Sequence, residues 1–506
     1  MAKTPVNANW LANSGVPYAD QDNQDGLRPV IPPSSGDLPV YADRTKLVTA
    51  DAVGGGDGSE GSPWTLDEAM ANAVAGDLVG IEAGVYVGTR PAANPSSDLY
   101  IPSFYPANAG TDVDNKLIFV AENQASKTVT PSQWTDIRSG GTVQDGQAGP
   151  AFGIRDSNWT EWVGIYSNET DTNNKGVHDS GVALLRKSTG AEVENSAIRG
   201  CRIIGEVITT YNDNHSGIRV QNTLNCELTD NYVADFNTNT GGATNNSGVT
   251  TYDCHELLIE YNEFENNGDN YLLKGQDNRG ITTRFNISID PVSEHFRLGA
   301  IKATDGGVRN LIYQNVAVGS AASIVFFAAS TALDAVDQTD IFNNTFYATG
   351  GSAINDWTIE VADANDGGVE THDNTFRNNV VYAGGQRAYY VTQMSAYDTA
   401  AKWAAYCYTD YNCLFGADDV ADGTSGSDFN QVDLATWRTV SGSDANTQEA
   451  DPLLEDAAGG DYTLGVGSPA FDAGIDYKDL LGGGTSAAIN QGAYISELQD
   501  EVIGIR

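Results

Sequence analysis

A repeated unit in the second half of the chain limits its possible folds more than any other sequence feature. From about residue 190 onwards, each unit has a short β-rich run, a polar turn, a second β-rich run, an asparagine and a loop. Repeats of about 20 to 50 residues with short strands are typical of solenoids, in which stacked units supply each other's core. The recurring asparagines are Asn231, Asn262, Asn286, Asn315, Asn344, Asn379 and Asn412.

This recurring asparagine predicts an internal ladder in an all-β, parallel β-helix. Consecutive asparagines are 24 to 35 residues apart, and a β-helix tolerates this variation because loops can lengthen without changing how the strands stack. A turn asparagine suits left-handed backbone geometry, and its side-chain amide can bond to the same group one coil away. We therefore predict that the asparagines occupy the same corner of successive coils and are themselves left-handed.

A short segment near residue 65 predicts a helix that caps the first coil. Thr65 and Glu68 have the spacing of a capping box, and Gly76 suits the position just after the helix. Such a helix would cover the open end of the solenoid, where exposed strands could otherwise pair with another chain. Its apolar face comprises Leu66, Ala69, Met70 and Ala73.

The chain divides into three predicted parts. Residues 1–44, which include the sequence IPPSSG, are expected to form an extended N-terminal arm. Residues 45–420 are predicted to form the β-helix with its cap, and residues 421–506 the terminal coils and a C-terminal extension.

Composition excludes several classes of protein. Acidic residues outnumber basic ones by 68 to 27, a formal net charge of −41, and such a surface repels nucleic acid. The hydrophobic content of 40% argues against a disordered acidic chain. The apolar run 324–329 is too short to span a membrane, and the first residues have no signal-peptide pattern. The five cysteines lack zinc or disulfide-scaffold spacing and are expected to be buried.

Two segments resemble a known superfold. The sequence SPWTLDEAMANAVAGDLVGIEAGVY is similar to the N-terminal cap of right-handed parallel β-helix proteins of the pectate-lyase-like superfold. The tail from YNCLFG to SPAFDAG resembles the terminal coils of the same group, so the resemblance covers roughly residues 45 to 485. It implies a right-handed parallel β-helix and leaves the activity open, since the superfold includes lyases, hydrolases, epimerases and phage tailspikes.

One predicted column of side chains carries positive charge. When units are aligned on the ladder asparagine, Arg219, Thr250, Lys274 and Lys302 fall in one outward column. The resemblance implies that acidic-polysaccharide lyases use a basic residue to take a proton from a uronate. Since neighbouring ammonium groups disfavour each other's charged form, Lys274 or Lys302 is the candidate base. Arg219 is the candidate carboxylate ligand; alternatively, these cations simply pair with nearby aspartates.

The adjacent positions predict sugar contacts and a carboxylate column. Tyr252 and Gln276 are the candidate substrate-binding residues. Asp253, Asp277 and Asp305 would stand about 5 Å apart on adjacent coils and about 10 Å on alternate coils, which allows a glycosidase acid pair. The same column could instead bind Ca²⁺, the one cofactor considered, or cap turns through Asx bonding. The five histidines are scattered singly and predict no catalytic triad.

Three functions are compatible with this pattern. The first is an extracellular, virion-displayed tailspike- or fibre-like protein that recognises a host surface polysaccharide, with or without depolymerising it. The second is a secreted polysaccharide lyase or glycoside hydrolase, and the third is a non-catalytic structural or adhesive β-helix. The expected partner is polysaccharide, without nucleic acid or membrane insertion. A homotrimer, or contacts with other virion proteins through residues 1–44, would fit the first function.

Overall fold

The chain folds into two compact units of stacked parallel strands. The computed structural model describes residues 39–88, 102–123, 133–138, 150–168, 180–185, 191–205, 207–208, 216–238, 246–274, 277–299, 301–302, 309–319, 322–328, 336, 338–348, 357–363, 374–385, 387–392, 399–422 and 430–475. Within them, the N-terminal unit comprises residues up to 281 together with 291–296, and the C-terminal unit comprises 282–290 and everything from 297. Most of the predicted N-terminal arm lies outside the described residues, and the predicted three-part division stays a prediction.

Three parallel sheets build the N-terminal unit, each from strands that are not consecutive in the chain. The first sheet contains β1 (Lys46–Val48), β2 (Leu78–Ile81), β4 (Leu117–Ala121), β7 (Thr160–Val163), β11 (Ala197–Arg199), β15 (Glu227–Thr229) and β19 (Leu258–Glu260). The second contains β6 (Phe152–Arg155), β9 (Ser180–Leu185), β14 (Ser216–Leu224), β18 (Ser247–His255) and β21 (Asp269–Leu273), with β10 (Val193–Glu194) and β22 (Asn278–Arg279) beside them. The third contains β3 (Gly84–Val87), β5 (Thr135–Arg138), β8 (Tyr166–Asn168), β12 (Arg202–Ile204), β16 (Tyr232–Ala234) and β20 (Glu263–Glu265). A separate pair joins β13 (Val207–Ile208) and β17 (Asn237–Thr238).

The C-terminal unit has the same arrangement. Its first sheet contains β23 (Thr282–Arg284), β27 (Asn310–Tyr313), β30 (Thr339–Phe342), β33 (Asn374–Arg377) and β36 (Cys407–Asp410). Its second contains β26 (Ile301–Lys302), β29 (Ala322–Ala328), β32 (Trp357–Asp363), β35 (Arg387–Thr392) and β38 (Ala421–Asp422). Its third contains β24 (Ile287–Ile289), β28 (Val316–Gly319), β31 (Thr345–Ala348), β34 (Val380–Tyr382), β37 (Cys413–Phe415) and β39 (Gln448–Glu449). The strand β25 (Glu294–Leu298) contains residues of both units.

Parallel pairing of strands from successive coils confirms the all-β parallel β-helix. Inward side chains form columns across the coils: in the first sheet of the N-terminal unit, paired residues with no exposed surface follow one another. Phe119 stacks on Trp162 with ring centroids 4.6 Å apart, and burial of each such side chain contributes about 1.5–3 kcal/mol. The column comprises Val79, Phe119, Trp162, Ile198, Leu228 and Ile259.

The predicted asparagine ladder is present in both units. In the N-terminal unit, the backbone N–H and the side-chain amide of Asn231 both donate to Oδ1 of Asn262, at 3.0 and 2.9 Å. In the C-terminal unit, the same backbone bond runs from Asn286 to Asn412 with N–O distances of 2.9–3.0 Å. The ladder ends at Thr447, whose hydroxyl oxygen accepts from the backbone N–H of Asn412. All the ladder asparagines are buried, so each bond is shielded from water.

The prediction that these asparagines are left-handed is wrong by one residue. The left-handed position is the one immediately before each asparagine, where φ is between 53° and 58°. That residue makes the bend, and a backbone bond to the next coil holds it there, as from Gln314 N to the Asn343 carbonyl (3.1 Å). The asparagine can then point inward, along the stacking direction. The left-handed residues are Asp230, Tyr261, Phe285, Gln314, Asn343, Asn378 and Tyr411.

The capping helix is confirmed, but its C-terminal end differs from the prediction. Helix α1 (Leu66–Asn72) has both capping-box bonds: the Glu68 N–H donates to Oγ1 of Thr65 (3.2 Å), and the Thr65 N–H donates to the Glu68 carboxylate (2.9 Å). The helix ends at Ala73, and Gly76 lies in the turn that follows. The turn is held by Asp77, whose carboxylate accepts from the Val74 N–H.

The end of the C-terminal unit adds two helices and a hairpin. Helices α2 (Ala400–Tyr406) and α3 (Leu434–Ser441) pack together, with Trp403 and Trp437 5.3 Å apart between ring centroids. The antiparallel hairpin of β40 (Leu454–Asp456) and β41 (Asp461–Leu464) lies over the outer side of the third sheet. There Tyr462 packs against Val316 and reaches the ring of Tyr347 at 5.5 Å. Among the described residues, 3-10 turns lie at Tyr41–Asp43 and Ala457–Gly459.

All five cysteines are buried and free, as the sequence predicts. Burial raises the pKa of the Cys201 thiol to about 12, so this thiol stays protonated and unreactive at neutral pH. In the described part of the chain, no helix has the length and apolar character needed to cross a membrane.

Candidate functional site

The predicted positive column lies on the second sheet of the N-terminal unit, but its register differs from the prediction. Arg219 on β14 pairs with Thr250 on β18, as expected. Thr250 then pairs with Leu272 on β21, so Lys274 is two residues beyond the predicted position. Further along, His255 pairs with Arg279.

Two additional residues in the third coil cause this shift. Thr251 pairs with Leu273, and His255 with Arg279, so four residue steps on β18 correspond to six on the next coil. Counting back from the ladder asparagine gives the correct alignment only up to this insertion. The prediction that Lys274 stands in the column of Arg219 and Thr250 is therefore wrong.

The true register brings Arg219 and Lys274 to the same tyrosine. The guanidinium carbon of Arg219 is 4.4 Å from the centroid of the Tyr252 ring, and Nζ of Lys274 is 5.5 Å from the same centroid. Arg219 comes from the coil before Tyr252 and Lys274 from the coil after it. Gln221, which pairs with Tyr252, accepts a hydrogen bond from Arg219 at 3.3 Å. We call Arg219, Gln221, Tyr252 and Lys274 the Tyr252 cluster.

Members of this cluster differ in access to solvent. Arg219 is only 7% exposed, because the ring of Tyr252 and the amide of Gln221 cover it. Tyr252 and Lys274 are half-buried. A bound ligand would therefore contact Lys274 directly, while Arg219 would fix the ring of Tyr252 and add positive potential from below.

In the predicted carboxylate column, Asp253 and Asp277 have structural surroundings that differ from those of a glycosidase acid pair. Asp253 is a left-handed corner residue with φ of 52°, matching Asn222 on the preceding coil at 53°. Asp277 accepts from Nε of Arg279 at 2.6 Å and lies 3.7 Å from Nε2 of His255. The negative charge of Asp277 is thus neutralised within the protein, which weakens the case for a glycosidase pair. In the part of the chain that the structure describes, no group of three or more His, Cys, Asp or Glu side chains could hold a metal ion.

A histidine network beside the cluster was missed from sequence. Nδ1 of His255 is 2.7 Å from Oε1 of Glu192, and with Asp277 and Arg279 these residues form a continuous chain of polar side chains across the sheet. The sequence signal that could have aligned these side chains is the left-handed residue that follows each of their strands. At that corner, the N–H of Asn225 bonds to the carbonyl of His255, and equivalent bonds hold the neighbouring coils. The aligned corner residues are Asn195, Asn225, Glu256 and Gly280.

Three predicted site residues cannot be placed in this geometry. Gln276 and Asp305 lie outside the described residues, and so does the side chain of Lys302, although its backbone belongs to β26. Their proposed roles as sugar ligand, acid or metal ligand, and base stay predictions.

Comparison with known proteins gives remote likenesses only. No protein-family model matches the chain, and no curated protein matches it. Among solved structures, it is similar to a rhamnogalacturonan lyase at 12% identity, covering 91% of this chain and 98% of that one, with a TM-score of 0.47. It is also similar to the pectate lyase Pel9A (14% identity, 90% and 99% covered, TM-score 0.41) and to the Dettilon tailspike protein (14%, 76% and 60%, TM-score 0.29). Likenesses this remote do not define a function.

Proposed function

We propose that this protein binds an acidic extracellular polysaccharide across the outer face of β14, β18 and β21. The observation that carries the proposal is the Tyr252 cluster, in which two cations from different coils meet one half-exposed aromatic ring. The chain has a net charge of −41, so a polyanion would be repelled by most of its surface. A local concentration of positive charge on this acidic protein therefore favours binding of a negatively charged ligand at that place.

The chemistry of the cluster suits a uronate-containing chain. Lys274 can pair with a carboxylate, the amide of Gln221 and the hydroxyl of Tyr252 can bond to sugar hydroxyls, and Arg219 reinforces the site from beneath. Arg219 and Lys274 project from strands that are two spacings apart, about 9.6 Å. A polysaccharide that lies across the strands would bring successive acidic sugars next to the outward side chains of successive coils.

Display on a virion surface, as by a tailspike or fibre, is the form of this proposal that the cysteines favour. All five cysteines are free and buried, as expected of a chain that folds in a reducing cytoplasm and leaves the cell by lysis. A secreted polysaccharide lyase or hydrolase is the alternative. In either case the protein would act outside the cell. In the virion form, the chain would form a homotrimer or would contact other virion proteins through residues 1–44.

Replacement of Lys274 by glutamine tests the site. We expect Lys274→Gln to weaken binding of oligogalacturonate or oligoalginate about tenfold, which corresponds to about 1.4 kcal/mol, because the cation that pairs with the sugar carboxylate is lost. Arg219→Gln should weaken binding less, since Arg219 is buried. Calorimetric titration of each variant measures the change, and the remaining affinity should fall as salt rises.

A matched control is available on the first sheet of the same unit. Nζ of Lys46 is 5.0 Å from the ring of Trp64, a similar cation–aromatic pair away from the second sheet, and Lys46→Gln should leave binding unchanged. Equal loss in both variants would mean that only total charge matters. Full binding by Lys274→Gln would contradict the proposed site. A rise in absorbance near 235 nm during incubation would identify cleavage by β-elimination in addition to binding.

A further inference from the structure

A second group of aromatic and cationic side chains lies on the outer face of the third sheet of the N-terminal unit. In register, Asp136 on β5 pairs with Tyr166 on β8, Tyr166 with Arg202 on β12, and Arg202 with Tyr232 on β16. Their neighbours along each strand face the core and have no exposed surface, so these four side chains point outward. The inward neighbours are Ile137, Ser167, Ile203 and Val233.

Two of the rings in this group lie beside one guanidinium. The guanidinium carbon of Arg202 is 4.0 Å from the centroid of the Tyr232 ring and 5.9 Å from that of Trp134. Trp134 packs on Tyr166 with centroids 4.3 Å apart. Trp134 is nearly buried, whereas Tyr166, Arg202 and Tyr232 are half-buried. We call Trp134, Tyr166, Arg202 and Tyr232 the Arg202 stripe.

Arg202 differs from other arginines of the same unit in its surroundings. Arg138 pairs with Asp136 at 2.6 Å, and Arg279 pairs with Asp277 at the same distance. For Arg202, no carboxylate among the described residues lies within ion-pair distance. Nearby Glu265 accepts instead from the hydroxyl of Tyr232, at 2.8 Å. In a chain with 68 acidic and 27 basic residues, an arginine held by rings alone presents its charge to an external anion.

The C-terminal unit provides an internal comparison. On its third sheet, Tyr347, Tyr382 and Phe415 form a similar outward stack, with centroids 4.7 and 5.2 Å apart. Among the described residues no cation lies over that stack, and Tyr462 of the hairpin β40–β41 packs against it. An aromatic stripe is thus covered by another aromatic side chain of the same protein. The Arg202 stripe instead combines half-exposed rings with a charge, the chemistry of an acidic-sugar site.

We propose that the Arg202 stripe is a second binding site for an acidic sugar, with the sugar carboxylate on Arg202 and the sugar ring against Tyr166 and Tyr232. The class of ligand rests on the proposed function, but the site is on a different sheet from the Tyr252 cluster. Two sites on one chain would bind a long polysaccharide more tightly than either alone, because the second contact is made within the same complex.

Calorimetry with a short oligogalacturonate tests this by stoichiometry. Wild type should bind two oligosaccharides per chain, Arg202→Gln one, and the double variant Arg219→Gln/Lys274→Gln one. The triple variant should bind none. The matched control is Arg44→Gln, since Arg44 also lies over a tyrosine ring, 4.4 Å from the centroid of Tyr41, next to the 3-10 turn Tyr41–Asp43; this variant should keep both sites.

Each outcome separates the two proposals. If Arg202→Gln keeps both sites, the Arg202 stripe is not a sugar site. If it loses one while Arg219→Gln/Lys274→Gln keeps both, the Arg202 stripe stands and the Tyr252 cluster fails. Absence of any binding by wild type overturns both. A change in oligomeric state of Arg202→Gln by light scattering, without loss of sugar, would assign the stripe to a protein interface.

A fluorescence measurement guards against misfolding as an explanation. Trp134 lies against the stripe, so oligosaccharide should change the tryptophan emission of the Arg219→Gln/Lys274→Gln variant, and Trp134→Phe in that background should abolish the change. Arg202→Lys keeps the charge but loses the planar fork, and we expect an intermediate affinity, at least threefold below that of arginine. Equal affinity of Arg202→Lys and Arg202→Gln would contradict a charge-based site.

Discussion

Replacement of Asp444 by alanine is expected to lower the free energy of unfolding of the C-terminal unit by about 3–5 kcal/mol. Asp444 has no exposed surface. Its carboxylate accepts from Nε1 of Trp437 at 2.8 Å, from the hydroxyls of Thr409 and Thr447, and from the hydroxyl of Tyr389 at 3.2 Å. Alanine would leave these buried donors without an acceptor and would open a cavity between the terminal helices and the last coils.

A nearby aspartate offers a matched control. Asp433 caps helix α3 by accepting from the Thr436 N–H at 2.7 Å, and its side chain is exposed to water. Asp433→Ala should therefore cost only about 1 kcal/mol. Denaturant unfolding, followed by tryptophan fluorescence, compares the two variants. Similar losses in both would show that the Asp444 network contributes no more than an ordinary helix cap.

The same carboxylate should contribute to the pH dependence of stability. Burial raises the pKa of Asp444 above its usual value. The folded state therefore holds this proton more tightly than the unfolded state does. The stabilising contribution is complete below the unfolded pKa, near pH 4, and is lost as pH rises through the raised folded pKa. Asp444→Asn cannot titrate, so its stability should change less between pH 4 and 7 than that of wild type; an unchanged slope would contradict this origin.

Replacement of Asn344 by alanine is expected to cost about 2–4 kcal/mol. Oδ1 of Asn344 accepts from both the backbone and the side-chain amide of Asn315, at 3.0 Å each. Its own amide donates to the carbonyls of Ile312 and Phe342 and to Asn379. Alanine would remove the acceptor of the Asn315 N–H and the donor to the carbonyls of Ile312 and Phe342, all in a buried corner.

Threonine at the same position separates hydrogen bonding from packing. Thr447 already ends the ladder by accepting from the N–H of Asn412, so Asn344→Thr should keep the acceptor and cost less than Asn344→Ala. Thermal and denaturant unfolding would measure both variants. If the two variants lose equal stability, below about 1 kcal/mol, the ladder is not a major source of stability.

The architecture was predictable because the repeat is a global signal. A stacked fold must satisfy the same corner in every coil, so Asn315 and its equivalents recur where the amide bonds are needed. The capping box at Thr65 was equally visible, since its two bonds join residues only three positions apart. What sequence spacing cannot reveal is which of two adjacent corner residues takes the left-handed conformation. That depends on which side chain points inward.

The candidate site was harder to predict because it depends on register. Tyr252 and Arg219 were placed correctly, since no insertion separates their coils in the structure. Lys274 was misplaced by two residues that no pattern marks, and this moved it from Thr250 to Tyr252. His255 was overlooked because Glu192, its partner at 2.7 Å, is distant in the chain and meets it only through coil stacking.

A structure of the protein with a bound acidic oligosaccharide would test the account most directly. The experiment is a crystal or cryo-EM structure in the presence of oligogalacturonate or oligoalginate, whichever binds more tightly. We expect sugar density across the strands that carry Tyr252, with a uronate carboxylate within about 4 Å of the Lys274 ammonium. Sugar bound on another face, with Lys274 facing only solvent or protein carboxylates, would contradict the account.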